Sequence, residues 1–129
     1  MAEKFYICRK CGNIVGVVKH GGGALSCCGA PMEALVAGAV DAAKEKHVPV
    51  VNYDKAAGVV TVTVGSTLHP MQEEHSIEWI HLQTEIGGYM RRLNPGDKPE
   101  AQFKLSAGEK PQTAFAYCNL HGLWKQEIA

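Results

Sequence analysis

The chain has 129 residues, of which 46% are hydrophobic and 20% charged, with 13 Lys+Arg balanced by 13 Asp+Glu. That is the composition of one folded domain, or of one domain with a small appendage, and it excludes a disordered chain. A zero formal charge argues against a protein that grips nucleic acid by its phosphates, and the longest apolar stretch, residues 34–40, is far too short to span a bilayer.

The N-terminus reaches Cys8 with no apolar leader before it, so a reducing cytoplasm is the expected compartment and disulfides are not expected. The five cysteines then read as metal ligands or redox groups. Four of them fall in residues 1–36, the first predicted unit. Phe5-Tyr6-Ile7 leads into Cys8-Arg9-Lys10-Cys11, an apolar run follows at 14–18, and then come Gly21-Gly22-Gly23 and Cys27-Cys28. A unit this small cannot bury enough apolar surface to fold without a staple, which a metal would supply. Its charge is +2 (Lys4, Arg9, Lys10 and Lys19 against Glu3 and Glu33), leaving −2 for the remainder.

Two residues between Cys8 and Cys11 let both sulfurs turn onto one ion, and Cys27-Cys28 adds a pair with no spacer. Four thiolates make a closed tetrahedral site for zinc or for a single iron. Neighbouring ligands cannot both take the relaxed angles of a Cys-x2-Cys knuckle, so a distorted tetrahedron is expected. A redox disulfide pair fits less well, because four cysteines converge rather than two.

Residues 34–43 are small and featureless and read as a linker. From residue 48 the pattern has period two or is rich in β-branched residues. Strands are expected at 48–53 and 59–64, joined as a hairpin through Asp54-Lys55-Ala56-Ala57-Gly58, then at 77–84, 89–93, 101–105, 113–117 and 123–128. Pro95-Gly96-Asp97, Pro99, Gly108 and Pro111 punctuate them. The fold class is therefore all-β: a metal-stapled N-terminal domain, residues 1–36, followed by a seven-stranded sandwich, residues 37–129.

Cys118-Asn119-Leu120-His121 lies between the last two strands, where a tight turn can aim a sulfur and a nitrogen at one ion. His69 and His75 sit in the loop 68–76, and His47 just precedes the first strand of the sandwich. Four imidazoles and one thiolate at strand ends or in loops can meet at one rim of a rigid scaffold. His20, beside flexible glycines, reads as an ordinary surface residue. His81, in phase with Ile77 and Trp79 inside a strand, reads as one that packs or faces solvent.

Taken together, Cys8-Arg9-Lys10-Cys11 with Cys27-Cys28, Glu45-Lys46-His47-Val48-Pro49, His69-Pro70-Met71 with Glu74-His75-Ser76-Ile77, and Cys118-Asn119-Leu120-His121-Gly122-Leu123-Trp124 resemble desulfoferrodoxin, the two-iron form of superoxide reductase. The resemblance covers nearly the whole chain in the expected order. It implies a desulforedoxin-like domain holding one iron through Cys8, Cys11, Cys27 and Cys28. It implies an immunoglobulin-like sandwich holding a second iron through His47, His69, His75 and His121 in one plane, with Cys118 axial.

Glu45 and Lys46 would lie on a mobile loop over the open position. Superoxide would be the substrate, rubredoxin or a similar protein the electron donor, and a cytoplasmic homodimer the usual assembly. Lys46 would attract the anion and organise the water that protonates the product, while Glu45 would close the oxidised site. The four-cysteine iron would be an electron relay or store, or mainly a structural staple. Two rival readings come from other classes. A cupredoxin normally wants a Met shortly after its late histidine, and none follows His121. A non-enzymatic electron-transfer or zinc-knuckle interaction module would hold zinc and no iron.

Overall fold

The structure is a computed structural model that describes residues 4–128; Met1 to Glu3 and Ala129 lie outside the described residues. The chain divides into two compact units, Met1–Val36 and Ala37–Ala129.

In the first unit, β1 (Phe5–Ile7) pairs antiparallel with β2 (Ile14–Gly16) and with β5 (Glu33–Ala34), and β3 (Ser26–Cys27) pairs with β4 (Ala30–Pro31). Among the described residues its buried apolar side chains are Phe5, Ile7, Cys8 and Leu35, a core too small to stand alone. Gly16 lies opposite Phe5, and a Cβ there would come within 3.3 Å of the ring. The glycine is what lets the largest core residue lie across the neighbouring strand.

The second unit is a sandwich of two antiparallel sheets. β6 (Pro49–Asp54), β7 (Val59–Val64) and β10 (Glu100–Lys104) form one sheet in the order β10-β7-β6. β8 (Ile77–Thr84), β9 (Gly88–Arg92), β11 (Pro111–Cys118) and β12 (Gly122–Glu127) form the other in the order β12-β11-β8-β9. Among the described residues the one helix, α1 (Lys44–His47), is one turn long. The β6–β7 hairpin closes where the sequence places it: Ala57 N–H donates to Asp54 Oδ1 and Gly58 N–H to Asp54 O, with Gly58 at φ +68°.

Period-two burial builds the core. Val60, Val62 and Val64 of β7 point inward while Thr61 and Thr63 are only half-buried, and they meet Ile80 and Leu82 of β8, Phe103 of β10, and Ala114 and Ala116 of β11. Each large side chain so buried contributes about 1.5–3 kcal/mol. β8 is buried along both faces: Trp79 stacks on Tyr117 at 5.5 Å, and His81 packs beside Phe115 with its ring in the space that Gly88 leaves empty. No described helix is long and apolar enough to cross a membrane.

Candidate metal centres

The knuckle Cys8–Cys11 is a turn closed by Gly12 N–H donating to Cys8 O and Cys8 N–H to Asn13 O, both at 2.8 Å. The second pair comes from a different device. Cys27 ends β3, Ala30 begins β4, and the two residues between them, Cys28 (φ +54°) and Gly29 (φ +74°), both lie in the left-handed region. Two positive φ values in a two-residue hairpin loop are the mark of a type I′ turn. That turn is how adjacent cysteines reach one point, with the strain carried by the Cys28 backbone.

The sulfurs of Cys8, Cys11, Cys27 and Cys28 all lie within 4.8 Å of one another, with Cys11–Cys27 at 3.6 Å and Cys27–Cys28 at 3.9 Å. A tetrahedron with metal–sulfur bonds of about 2.3 Å has edges of about 3.8 Å, so the spacing suits one tetrahedral ion. The charges agree. The backbone N–H of Cys11 holds the Cys8 thiol down to about 6, whereas hydrogen bonding to the Cys11 sulfur pushes Cys28 up to about 12. Four sulfurs this close cannot all be negative unless a cation sits among them.

The second cluster gathers residues from four places in the chain. His47 ends α1, His69 and His75 lie in the β7–β8 loop, Cys118 ends β11, and His121 precedes β12. Donor atoms of His47, His75, Cys118 and His121 lie within 4.8 Å of one another, and His69 Nε2 is 3.2 Å from His47 Nε2. The His121 Nδ1 is 3.1 Å from His47 Nε2 and 3.9 Å from the Cys118 sulfur.

The ring protons can be assigned. His47 Nδ1 is 2.7 Å from Ala43 O, and His69 Nδ1 is 2.7 Å from Pro70 O; a carbonyl only accepts, so both Nδ1 atoms carry hydrogen. Burial lowers the His47 pKa and takes His69 down to about 4, so both rings are neutral at neutral pH. Their Nε2 atoms therefore face each other as bare lone pairs. The Nε2 of His75 is also buried with no hydrogen-bond partner. Lone pairs packed this way repel unless a cation lies between them, so the donor set fits a metal ion, and four imidazole nitrogens with a thiolate are a set that iron accepts.

Cys118 is fully buried, and burial raises its thiol pKa while the backbone N–H groups of His121 and Leu120 lower it. Those two donors favour the thiolate and temper the electron density it can give. Trp124 braces the cluster twice: its Nε1–H donates to His121 O at 3.0 Å, and its ring lies 5.0 Å from that of His47.

Glu45 and Lys46 are exposed residues of α1 rather than of a loop without secondary structure. The turn is strapped down by Thr67 N–H and Ser66 Oγ–H donating to Glu45 O, and by Gly65 N–H donating to Val48 O. The Lys46 charge lowers the pKa of both His47 and His75, which places it at the rim of the histidine cluster. Glu45 is not among the groups that share the cluster. It lines a surface cleft of about 590 Å³ with Lys44, Val50 and Glu127, and its charge acts on His47, working against the burial that lowers that ring's pKa. His20 is exposed in the first unit beside its glycines, and His81 is buried in β8; neither joins a cluster. Asn119 and Trp124 are site residues to which the sequence assigns no role. The only signal for Asn119 is an amide next to a ligand in a turn, where Asn readily bonds nearby backbone.

The family described as desulfoferrodoxin, N-terminal domain, matches residues 2–35, and that described as desulfoferrodoxin matches residues 39–127. The desulfoferrodoxin of Syntrophotalea carbinolica is 53% identical over 129 residues, covering 98% of this chain and 99% of its own. The crystal structure of the superoxide reductase from Treponema pallidum superposes with a TM-score of 0.80 at 35% identity, over 97% of this chain and 100% of that one. The one-iron superoxide reductase from Giardia intestinalis superposes with a TM-score of 0.55 at 35% identity, over 66% of this chain and 98% of that one.

Proposed function

This chain belongs to the desulfoferrodoxin family, and we infer that it is a superoxide reductase whose reaction takes place at the histidine–cysteine cluster. Superoxide, one electron and two protons give hydrogen peroxide. The observation that carries the assignment to this cluster is the pair of bare Nε2 lone pairs of His47 and His69 held 3.2 Å apart beside a buried thiol. We propose His47, His69, His75, His121 and Cys118 as the ligands of one iron, and Cys8, Cys11, Cys27 and Cys28 as those of the other.

His47, His69, His75, His121 and Cys118 would hold the iron, which would supply the electron. Neutral imidazoles leave the positive charge of the site largely uncancelled, which favours an anionic substrate. The Cys118 thiolate feeds electron density toward that substrate, and the N–H groups of Leu120 and His121 moderate how much. Lys46 draws the anion to the rim. An ion pair at about 4 Å near a protein surface is worth roughly 1–4 kcal/mol, and its ammonium can hold the water that delivers a proton to the departing product. Glu45, whose charge reaches His47, closes the oxidised site rather than drives turnover.

The exposed sulfurs of Cys11 and Cys28 leave the first cluster open to an electron-donor protein, rubredoxin or one like it. A cytoplasmic homodimer completes the proposal. Metal content and the visible spectrum of the purified protein test it. Two irons per chain are expected. A thiolate-to-iron absorption band should appear as ferrous protein is oxidised by superoxide, with hydrogen peroxide as the product. One zinc and no iron would make the chain a non-enzymatic module, and dioxygen among the products would make it a dismutase.

A further inference from the structure

Three of the proposed donors in the histidine cluster have visible means of orientation. His47 and His69 each donate Nδ1–H to a backbone carbonyl, and the His121 carbonyl is held by the Trp124 indole. Among the described residues no ring hydrogen bond does this for His75. Its loop is closed on itself by Gln72 N–H donating to His75 O (2.9 Å) and His75 N–H to Gln72 O (3.2 Å). The further tie at Met71, whose carbonyl accepts from Gly96 N–H at 2.8 Å, reaches neither α1 nor β11, so it does not aim the ring at a point those elements build.

The link to those elements is Asn119. Its side-chain Oδ1 accepts from Ser76 N–H at 3.0 Å, and its Nδ2 donates to Glu74 O at 3.1 Å. Its own backbone N–H donates to Ser76 O at 3.2 Å. One amide thus grips the residue on each side of His75. The same residue follows Cys118 directly and precedes His121 by two, so the grip ties the β7–β8 loop to the turn that carries two other donors. The amide is suited to this because it offers one donor and one acceptor on a short stem, matching one carbonyl and one N–H.

We propose that Asn119 is a positioning residue that fixes His75 in the metal site by clamping the backbone on either side of it. The proposal rests on reading these five side chains as iron ligands. Partners behind first ligands commonly change metal affinity 10–100-fold when removed, and this clamp acts on the ligand's backbone rather than on its ring.

The test uses the full-length iron protein, with Asn119→Ala, which removes both side-chain bonds, and Asn119→Asp, which keeps the acceptor for Ser76 and loses the donor to Glu74. The readouts are the rate of iron release to a ferrous chelator, the position of the thiolate-to-iron band in the oxidised protein, and the melting temperature. The four-cysteine iron serves as an internal reference. Asn119→Ala is expected to release the histidine-site iron about 10–100-fold faster and to shift the band. Asn119→Asp should fall between it and the wild type, with release from the four-cysteine site unchanged in both. Should Asn119→Ala fail to fold, Asn119→Asp alone decides. Wild-type release and an unmoved band, even with a lower melting temperature, would make Asn119 a plain loop brace and overturn the proposal. A wild-type protein whose thiolate-to-iron absorption is accounted for wholly by the four-cysteine iron would instead sink the ligand reading itself, and the clamp with it.

Discussion

Lys46 is one charge on an exposed helical turn, yet it is felt by two imidazoles of the cluster, buried His47 and half-buried His75. A charge so placed acts on the encounter with an anion more than on the stability of the fold, because exposed charges are screened over about 10 Å at moderate salt. Lys46→Ala is therefore expected to slow the bimolecular reaction with superoxide by about tenfold at low ionic strength and to flatten its salt dependence, with iron content unchanged. Rapid mixing across a salt series measures both, and an unchanged rate at low salt removes Lys46 from the reaction. Glu45 carries the opposite charge one residue away and acts on His47 in the opposite sense.

At the scale of elements, the turn that presents Lys46 and His47 depends on a glycine in another loop. Gly65 has φ +87°, and a Cβ there would run into the carbonyl oxygens of Thr67, Lys46 and Glu45. Gly65→Ala should cost about 1–3 kcal/mol from backbone conformation alone, with the collision added, and it should push α1 off its platform. The expected outcome is a lower melting temperature together with loss of iron from the histidine site, read by thermal denaturation and metal analysis.

The opposite loops of the sandwich are joined by a buried carboxylate. Glu109 accepts from the hydroxyls of Thr84 (2.5 Å) and Tyr89 (2.6 Å) and from Ser106 N–H (3.1 Å), and these bonds, Thr84's first, hold its pKa below the ordinary carboxylate value. A folded-state pKa that is depressed contributes stability above the unfolded value of about 4.3, and that contribution disappears as pH falls through the folded value. Urea unfolding should therefore show wild type ahead of Glu109→Gln at neutral pH, with the gap closing below about pH 4. A gap of constant width at every pH would mean that ionisation of Glu109 plays no part. Acid loss of metal affects both proteins alike and drops out of the difference.

For the whole molecule, the two units have cores of very different size. The first buries few apolar side chains and relies on its sulfurs, whereas the second has a continuous core of β-branched and aromatic residues. Cys11→Ser should release the first metal and loosen the first unit. It should leave the histidine-site iron in place and able to consume superoxide once reduced chemically, in keeping with the one-iron protein that matches only two-thirds of this chain. Steady-state turnover with a protein donor then separates a relay from a staple: a large loss there, with single-turnover consumption intact, identifies the relay.

The strands and the donor atoms were legible in the primary structure because both are local properties. Alternation in Val60 to Val64 reports which face of a strand is wet, and the seven sandwich strands fall within a few residues of where the pattern sets them. Cysteine and histidine carry their chemistry wherever they stand, so the nine candidate donors could be named before any of them was placed. The fold decided what depends on residues distant in the chain meeting in space. It made a helical turn of the segment around Glu45 and Lys46, expected to be loop. Ala43 and Pro70 carbonyls set which nitrogen of two rings is bare, and an asparagine amide spans 43 residues to reach the backbone beside His75. Periodicity and spacing carry no trace of such partners, since a hydrogen bond is set by distance and direction in three dimensions and not by separation along the chain.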